Sequence, residues 1–79
     1  MDIEYNKQMI LEGEEFYGYS PVYLDGEEIG EVTYTDELVD GRITGKTLYL
    51  FYPHADPERG YEAPTCEEAV SEYLRSITL

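Results

Sequence analysis

Residues 65–77, Thr-Cys-Glu-Glu-Ala-Val-Ser-Glu-Tyr-Leu-Arg-Ser-Ile, decide the fold. Thr65 and Glu68 have the T-x-x-E spacing of a capping box, in which each residue satisfies a free backbone N–H at a helix start. Cys66, Ala69, Val70, Tyr73, Leu74 and Ile77 recur at helical spacing and make one apolar stripe. Glu67, Glu68, Glu72 and Arg75 lie away from it. A single amphipathic helix must bury such a stripe on another layer. The remaining chain reads as strands, so the expected partner is a sheet.

Residues 46–52 form the clearest strand. One face carries Leu48, Leu50 and Tyr52, and the other Thr47, Tyr49 and Phe51. Apolar groups on both faces place it inside the sheet, and Pro53 ends it. Residues 53–64 hold three prolines and a glycine and are expected to be a loop. Toward the N-terminus, Asp25-Gly26 between Leu24 and Glu27 is a type I′ hairpin signal, because that turn needs positive φ at both central residues. The returning strand is expected over about residues 28–35, with Gly30 marking a bulge. Residues 16–24 have strand composition, yet Pro21 restricts them to an edge strand or a break near Ser20 and Pro21. Residues 2–11 alternate as a half-buried strand, and residues 12–15 read as a turn. For residues 35–45 two readings stand: one helical turn over Asp36 to Val39, and a second turn signal at Asp40-Gly41. Leu24-Asp25-Gly26…Gly30…Tyr34 echoes Val39-Asp40-Gly41…Gly45…Tyr49 at a fixed offset, as two glycine turns each feeding a strand would. The expected fold is α+β: one domain over residues 1–79, with an antiparallel sheet of about four strands (about residues 2–52), the loop at 53–64, and a helix at about 65–77 across one face (β-β-β-β-α).

A chain of 79 residues supports one small core. Its formal net charge of −13 is large for that length. Ten carboxylates fall in residues 12–40, and no Lys or Arg occurs between Lys7 and Arg42. Nucleic acid and anionic membrane are disfavoured as direct partners, since like charges repel within a Debye length of ~8 Å. Basic proteins, basic channels and cations are favoured by the charge, which does not choose among them; the expected partner is a basic protein or protein–RNA complex that handles nucleic acid. With one cysteine and no apolar N-terminal segment, the chain is expected to be cytoplasmic, as a monomer or homodimer.

Catalytic patterns do not assemble. Cys66 and His54 are the one nucleophile–base pair available, but Cys66 falls on the apolar stripe, where a small buried thiol is the ordinary outcome. His54 is expected to be solvated near Asp56 and Glu58, with no third group to orient it. Asp36, Asp40 and Gly41 match three positions of a calcium loop, whereas Leu38 and Thr47 break the pattern. No cofactor or metal is expected, and no enzymatic activity.

The candidate site is therefore a binding face. Glu27, Glu28 and Glu31 lie in or beside a strand, where acidic residues are depleted. Tyr17, Tyr19 and Tyr23 share one parity, opposite to Phe16, Val22 and Leu24; Tyr17 and Tyr19 are expected on the helix-free side, and Tyr23 joins them if the strand is unbroken but changes sides if it breaks at Pro21. Glu27, Glu28, Glu31, Tyr17 and Tyr19 form its expected centre, and Glu14, Glu15, Asp25, Asp36 and Glu37 extend it from turns and loops. Aromatic anchors among charges are the chemistry of interface hot spots. In charge and size the chain resembles small phage anti-CRISPR and anti-restriction proteins that mimic DNA, and acidic immunity proteins that block nucleases. The resemblance implies a non-enzymatic inhibitor of a basic, nucleic-acid-handling partner. The alternative is an acidic adaptor that binds through an exposed sheet edge, with its charge serving solubility alone.

Overall fold

The computed structural model describes residues 2–6 and 18–77. They form one antiparallel sheet of five strands with a C-terminal helix packed against it. The strands are β1 (Ile3–Glu4), β2 (Ser20–Leu24), β3 (Glu27–Val39), β4 (Arg42–Pro53) and β5 (Tyr61–Ala63), and the helix is α1 (Cys66–Ile77). Spatial order follows chain order, β1-β2-β3-β4-β5. The expected α+β architecture is present, with one strand more than four.

Two Asp-Gly turns build the sheet. Asp25 and Gly26 have φ of 50° and 87°, and Asp40 and Gly41 have 52° and 77°. Both pairs adopt the positive-φ geometry that matches the twist of the flanking strands. Asp25 also ties down β1: its Oδ1 accepts the Asp2 N–H at 2.8 Å, and its own N–H donates to the Asp2 carbonyl at 2.8 Å. Tyr34 and Tyr49, the last residues of the sequence echo, face each other across β3 and β4.

Three expectations change. Residues 36–39 are strand and not a helical turn, because the turn at Asp40-Gly41 carries β3 directly into β4, which starts at Arg42 rather than Lys46. The expected loop at 53–64 contains β5, whose Tyr61 and Ala63 face the core while Glu62 points out. Three residues are too few to show an alternation by themselves, and the pairing of β5 with Tyr49, Leu50 and Phe51 of β4 supplies what propensity does not. Of the strand expected over residues 2–11, Ile3–Glu4 form β1, and beyond it the Asn6 N–H donates to Ser20 Oγ at 2.7 Å; residues 7–11, with the turn expected at 12–15, lie outside the described residues. Pro21 sits inside β2, opposite Glu31. It is tolerated there because, among the described residues, β1 pairs only with Tyr23 and Leu24 and makes no ladder bond beside Pro21.

Helix α1 crosses β4 and β5. Cys66, Ala69, Val70 and Tyr73 of the predicted stripe are buried against Val22, Val32, Phe51, Tyr61 and Ala63 of the sheet. Tyr73 joins the layers: its ring centroid lies 5.6 Å from Phe51 and 5.5 Å from Tyr61. The helix start is half of the expected box. Thr65 Oγ1 accepts the Glu68 N–H at 3.1 Å, and among the described residues the reciprocal Glu68 side-chain bond is not made.

Candidate partner-binding face

The side of the sheet away from α1 is set by two irregularities in strand pairing. From the Asp25-Gly26 turn, Leu24 opposes Glu27 and Tyr23 opposes Glu28; the register then moves so that Val22 opposes Gly30 and Pro21 opposes Glu31. Ile29 is the extra residue of a β-bulge, next to the glycine that suggested one. A one-residue shift exchanges the faces of every residue beyond it. Without it Glu31 would share the core side with Val22. With it, Glu28 and Glu31 both reach the side of Tyr23 and Pro21, and Val32 enters the core.

The second irregularity lies in the β3–β4 hairpin. Leu38 opposes Ile43, but Asp36 opposes Thr47, so residues 44–46 stand against Glu37. Gly45, at φ 89°, takes the left-handed conformation this needs. Thr44 Oγ1 donates to Glu37 Oε1 at 2.9 Å and accepts the Lys46 N–H at 3.3 Å. This shift is two residues long, so the faces are kept, and Glu31 comes to oppose Tyr52 in place of Leu50.

The result is a groove of about 350 Å³ lined by Tyr19, Glu31, Tyr52, His54 and Pro57. Tyr52 alternates with fully buried Phe51 and so points away from the helix. Its ring centroid is 6.3 Å from that of Tyr19, at an interplanar angle of 59°. His54 closes one end. Its N–H donates to the Ile29 carbonyl at 2.9 Å, and its Nε2 lies 2.6 Å from Glu28 Oε2. Both side chains are about half exposed, so this pair contributes little to stability; it fixes where the Glu28 carboxylate stands.

Of the candidate residues, Tyr19, Glu28 and Glu31 are brought together here. Glu27, opposite Leu24, falls on the other side of the strand. Asp25 is in the turn, engaged with the Asp2 N–H. Asp36 and Glu37 line a separate recess of about 430 Å³ with Leu38, Val39, Leu48 and Glu62. Glu14, Glu15 and Tyr17 lie outside the described residues. Tyr19 and Tyr23 are exposed, as parity suggests, and Val22 is fully buried. His54 corrects an expectation: it is exposed, but it is not merely solvated, since its ring meets Glu28, twenty-six residues away. Tyr52, His54 and Pro57 are additions. The alternation of residues 46–52 placed Tyr52 with Leu48 and Leu50; only the pairing reveals its neighbours.

Cys66 is fully buried on the helix side, whereas His54 lines the opposite side, so the two do not form a catalytic pair. Burial, and then the charge of Glu67, push the thiol from 9.0 up to about 12; desolvation outweighs the helix dipole. Burial likewise raises the Tyr5 hydroxyl to about 12, helped by Tyr49 and Cys66. Both groups hold their protons more tightly in the fold than in the unfolded chain. Their stabilising contribution is therefore complete below pH 9 and declines as pH rises toward about 12. Denaturant midpoints should fall over that window, and Cys66→Ala should flatten the fall. A midpoint unchanged across the window would contradict the burial of both groups.

Among the described residues, no group of three or more His, Cys, Asp or Glu side chains converges as for a metal, and no helix is long and apolar enough to cross a membrane. No family model, curated protein or solved structure matches this chain.

Proposed function

We propose that this chain is a small, acidic, non-enzymatic inhibitor that binds a basic protein or protein–RNA complex handling nucleic acid, and competes there with nucleic acid. The observation that carries this reading is the helix-free face. It sets three tyrosines (Tyr19, Tyr23 and Tyr52) beside Glu28 and Glu31, and among the described residues no Lys or Arg pairs with either carboxylate. Large aromatic anchors with charges of one sign suit a desolvated contact inside a basic groove.

Spacing bears on how far such mimicry extends. Across the sheet the face carries Glu4, Glu28, Glu31 and Glu62. Strands lie ~4.8 Å apart, so these four carboxylates spread over ~19 Å, about one per ~5 Å. A duplex carries one charge per ~1.7 Å. The face therefore imitates the sign and direction of nucleic-acid charge more than its density, and the tyrosines have to contribute the remaining contact. Capture from host lysate on the immobilised chain tests the reading. Basic nucleic-acid-binding proteins should be retained, released by added duplex DNA, and weakened steeply by salt. Retention indifferent to both would overturn it.

The alternative adaptor reading has its own support. Among the described residues, β2 pairs with β3 only as far as Val32, and β5 pairs with β4 only from Tyr49 to Phe51. The hairpin beyond thus offers open backbone edges, and Leu38, Val39 and Ile43 are exposed at its end. A partner that resists DNA but is lost on Ile43→Asp would favour this edge over the acidic face.

A further inference from the structure

The groove between Tyr19 and Tyr52 is chemically more specific than an acidic surface. We infer that it is an acceptor site for a single arginine side chain of the partner, an inference that rests on the function proposed above and names the partner group that enters. At about 350 Å³ the groove falls in the lower part of the range of ligand sites, ~300–1,000 Å³. It is an open trough on a sheet face, shaped for a side chain that arrives attached to another surface.

Its lining selects the guest. Glu31 is part of the lining, and Glu28 lies beside it with its carboxylate 2.6 Å from His54 Nε2, so the surroundings disfavour anions. The Glu31 carboxylate makes no hydrogen bond or ion pair among the described residues, so it is available. The two tyrosine rings meet at 59° and their centroids are 6.3 Å apart, a wedge and not a closed stack. A cation within ~6 Å of a ring centroid gains from the ring quadrupole, and a flat group lying across the open side of the wedge meets both rings. Guanidinium is planar, weakly hydrated and able to grip a carboxylate through paired N–H donors. An ammonium is a compact, strongly hydrated point charge that uses the rings less well. The fold already contains one such contact: the Arg59 guanidinium carbon lies 5.0 Å from the Tyr61 ring centroid. Arginine is also the side chain most used by nucleic-acid-binding grooves for phosphates and bases.

The experiment is an NMR titration of the full chain with short capped peptides that differ at one residue: arginine, lysine, or citrulline, the neutral isostere. Arginine should produce saturable shifts confined to Tyr19, Glu31, Tyr52 and His54, with affinity about tenfold above citrulline and severalfold above lysine. Tyr52→Leu should erase the preference for arginine over lysine, and Glu31→Gln should weaken arginine but not citrulline. Tyr19→Leu, at a more exposed ring, gives the same comparison if Tyr52→Leu disturbs the sheet. Shifts that spread over the carboxylates equally for arginine and lysine would reduce the groove to diffuse charge and overturn the inference, as would no saturable shift at all. If those results came while lysate capture remained DNA-sensitive, the arginine site would fall and the inhibitor reading would stand. Selective arginine binding with DNA-insensitive capture would leave the site and remove the inhibitor reading.

Discussion

Gly30→Ala should lower the melting temperature of this domain by about 10 °C, more than any other single methyl addition to the sheet. A Cβ at residue 30 would collide with the Tyr52 carbonyl oxygen and sit 2.7 Å from Phe51 Cε1 and 2.8 Å from Phe51 Cζ. The first obstacle is backbone, and the second is the ring of the largest fully buried side chain in the core. Neither can swing aside. Overpacking of this kind costs about 1–3 kcal/mol, whereas the backbone entropy recovered by replacing glycine is only about 0.4–1 kcal/mol. The clash wins. At about 4–8 °C per kcal/mol for a domain of this size, the shift is readily seen in a thermal melt. Gly60→Ala is the control. Its Cβ would lie 3.0 Å from the Tyr52 ring, a side-chain contact that can relax, so the loss should be at most a few degrees. Equal melting points for the two variants would contradict the close seating of Phe51 under β3. Because Gly30 adjoins the bulge at Ile29, Gly30→Ala should also disturb the alignment of Glu28 with Glu31.

The parts of the fold legible in sequence are those fixed by local chemistry. Thr65 and the stripe from Cys66 to Ile77 announce α1 because capping and helical period act within a few residues. Asp25-Gly26 announces its turn because few other dipeptides accept positive φ twice. The opposition of Val22 to Tyr19 follows from parity alone. Residues 36–39 were harder, since Asp-Glu-Leu-Val suits a helix start as well as a strand, and the bulge around Gly45 interrupts the β4 alternation that would have decided it. The three residues of β5 are strand only because β4 presents an edge to them. The groove depended on pairing. Glu28, Glu31, Tyr52 and His54 meet through one register shift at Ile29 and another at Gly45, and a bulge has no local signature beyond a glycine. Parity therefore found Tyr19, whereas its partner Tyr52 required the β3–β4 register.

Neutralising two carboxylates on the open face, as Glu28→Gln with Glu31→Gln, should weaken partner binding by at least about tenfold, equivalent to 1.4 kcal/mol. Glu31 stands opposite Tyr52, and Glu28 is held at the groove end by His54. Charges beside desolvated aromatic anchors act at low dielectric and affect dissociation, while distant surface charges mainly steer encounter and are screened. The same reduction in net charge made elsewhere should matter far less. Glu67 and Glu72 are exposed on α1, on the other side of the molecule, and Glu67→Gln with Glu72→Gln should change affinity by no more than about twofold. Little loss of stability is expected in either pair, because all four side chains are exposed. The most direct measurement is a titration of the purified captured partner with the wild-type chain and these two charge-matched variants at one salt concentration. A large loss confined to Glu28→Gln with Glu31→Gln is predicted; equal losses in the two variants would show that net charge, and not this face, drives the interaction.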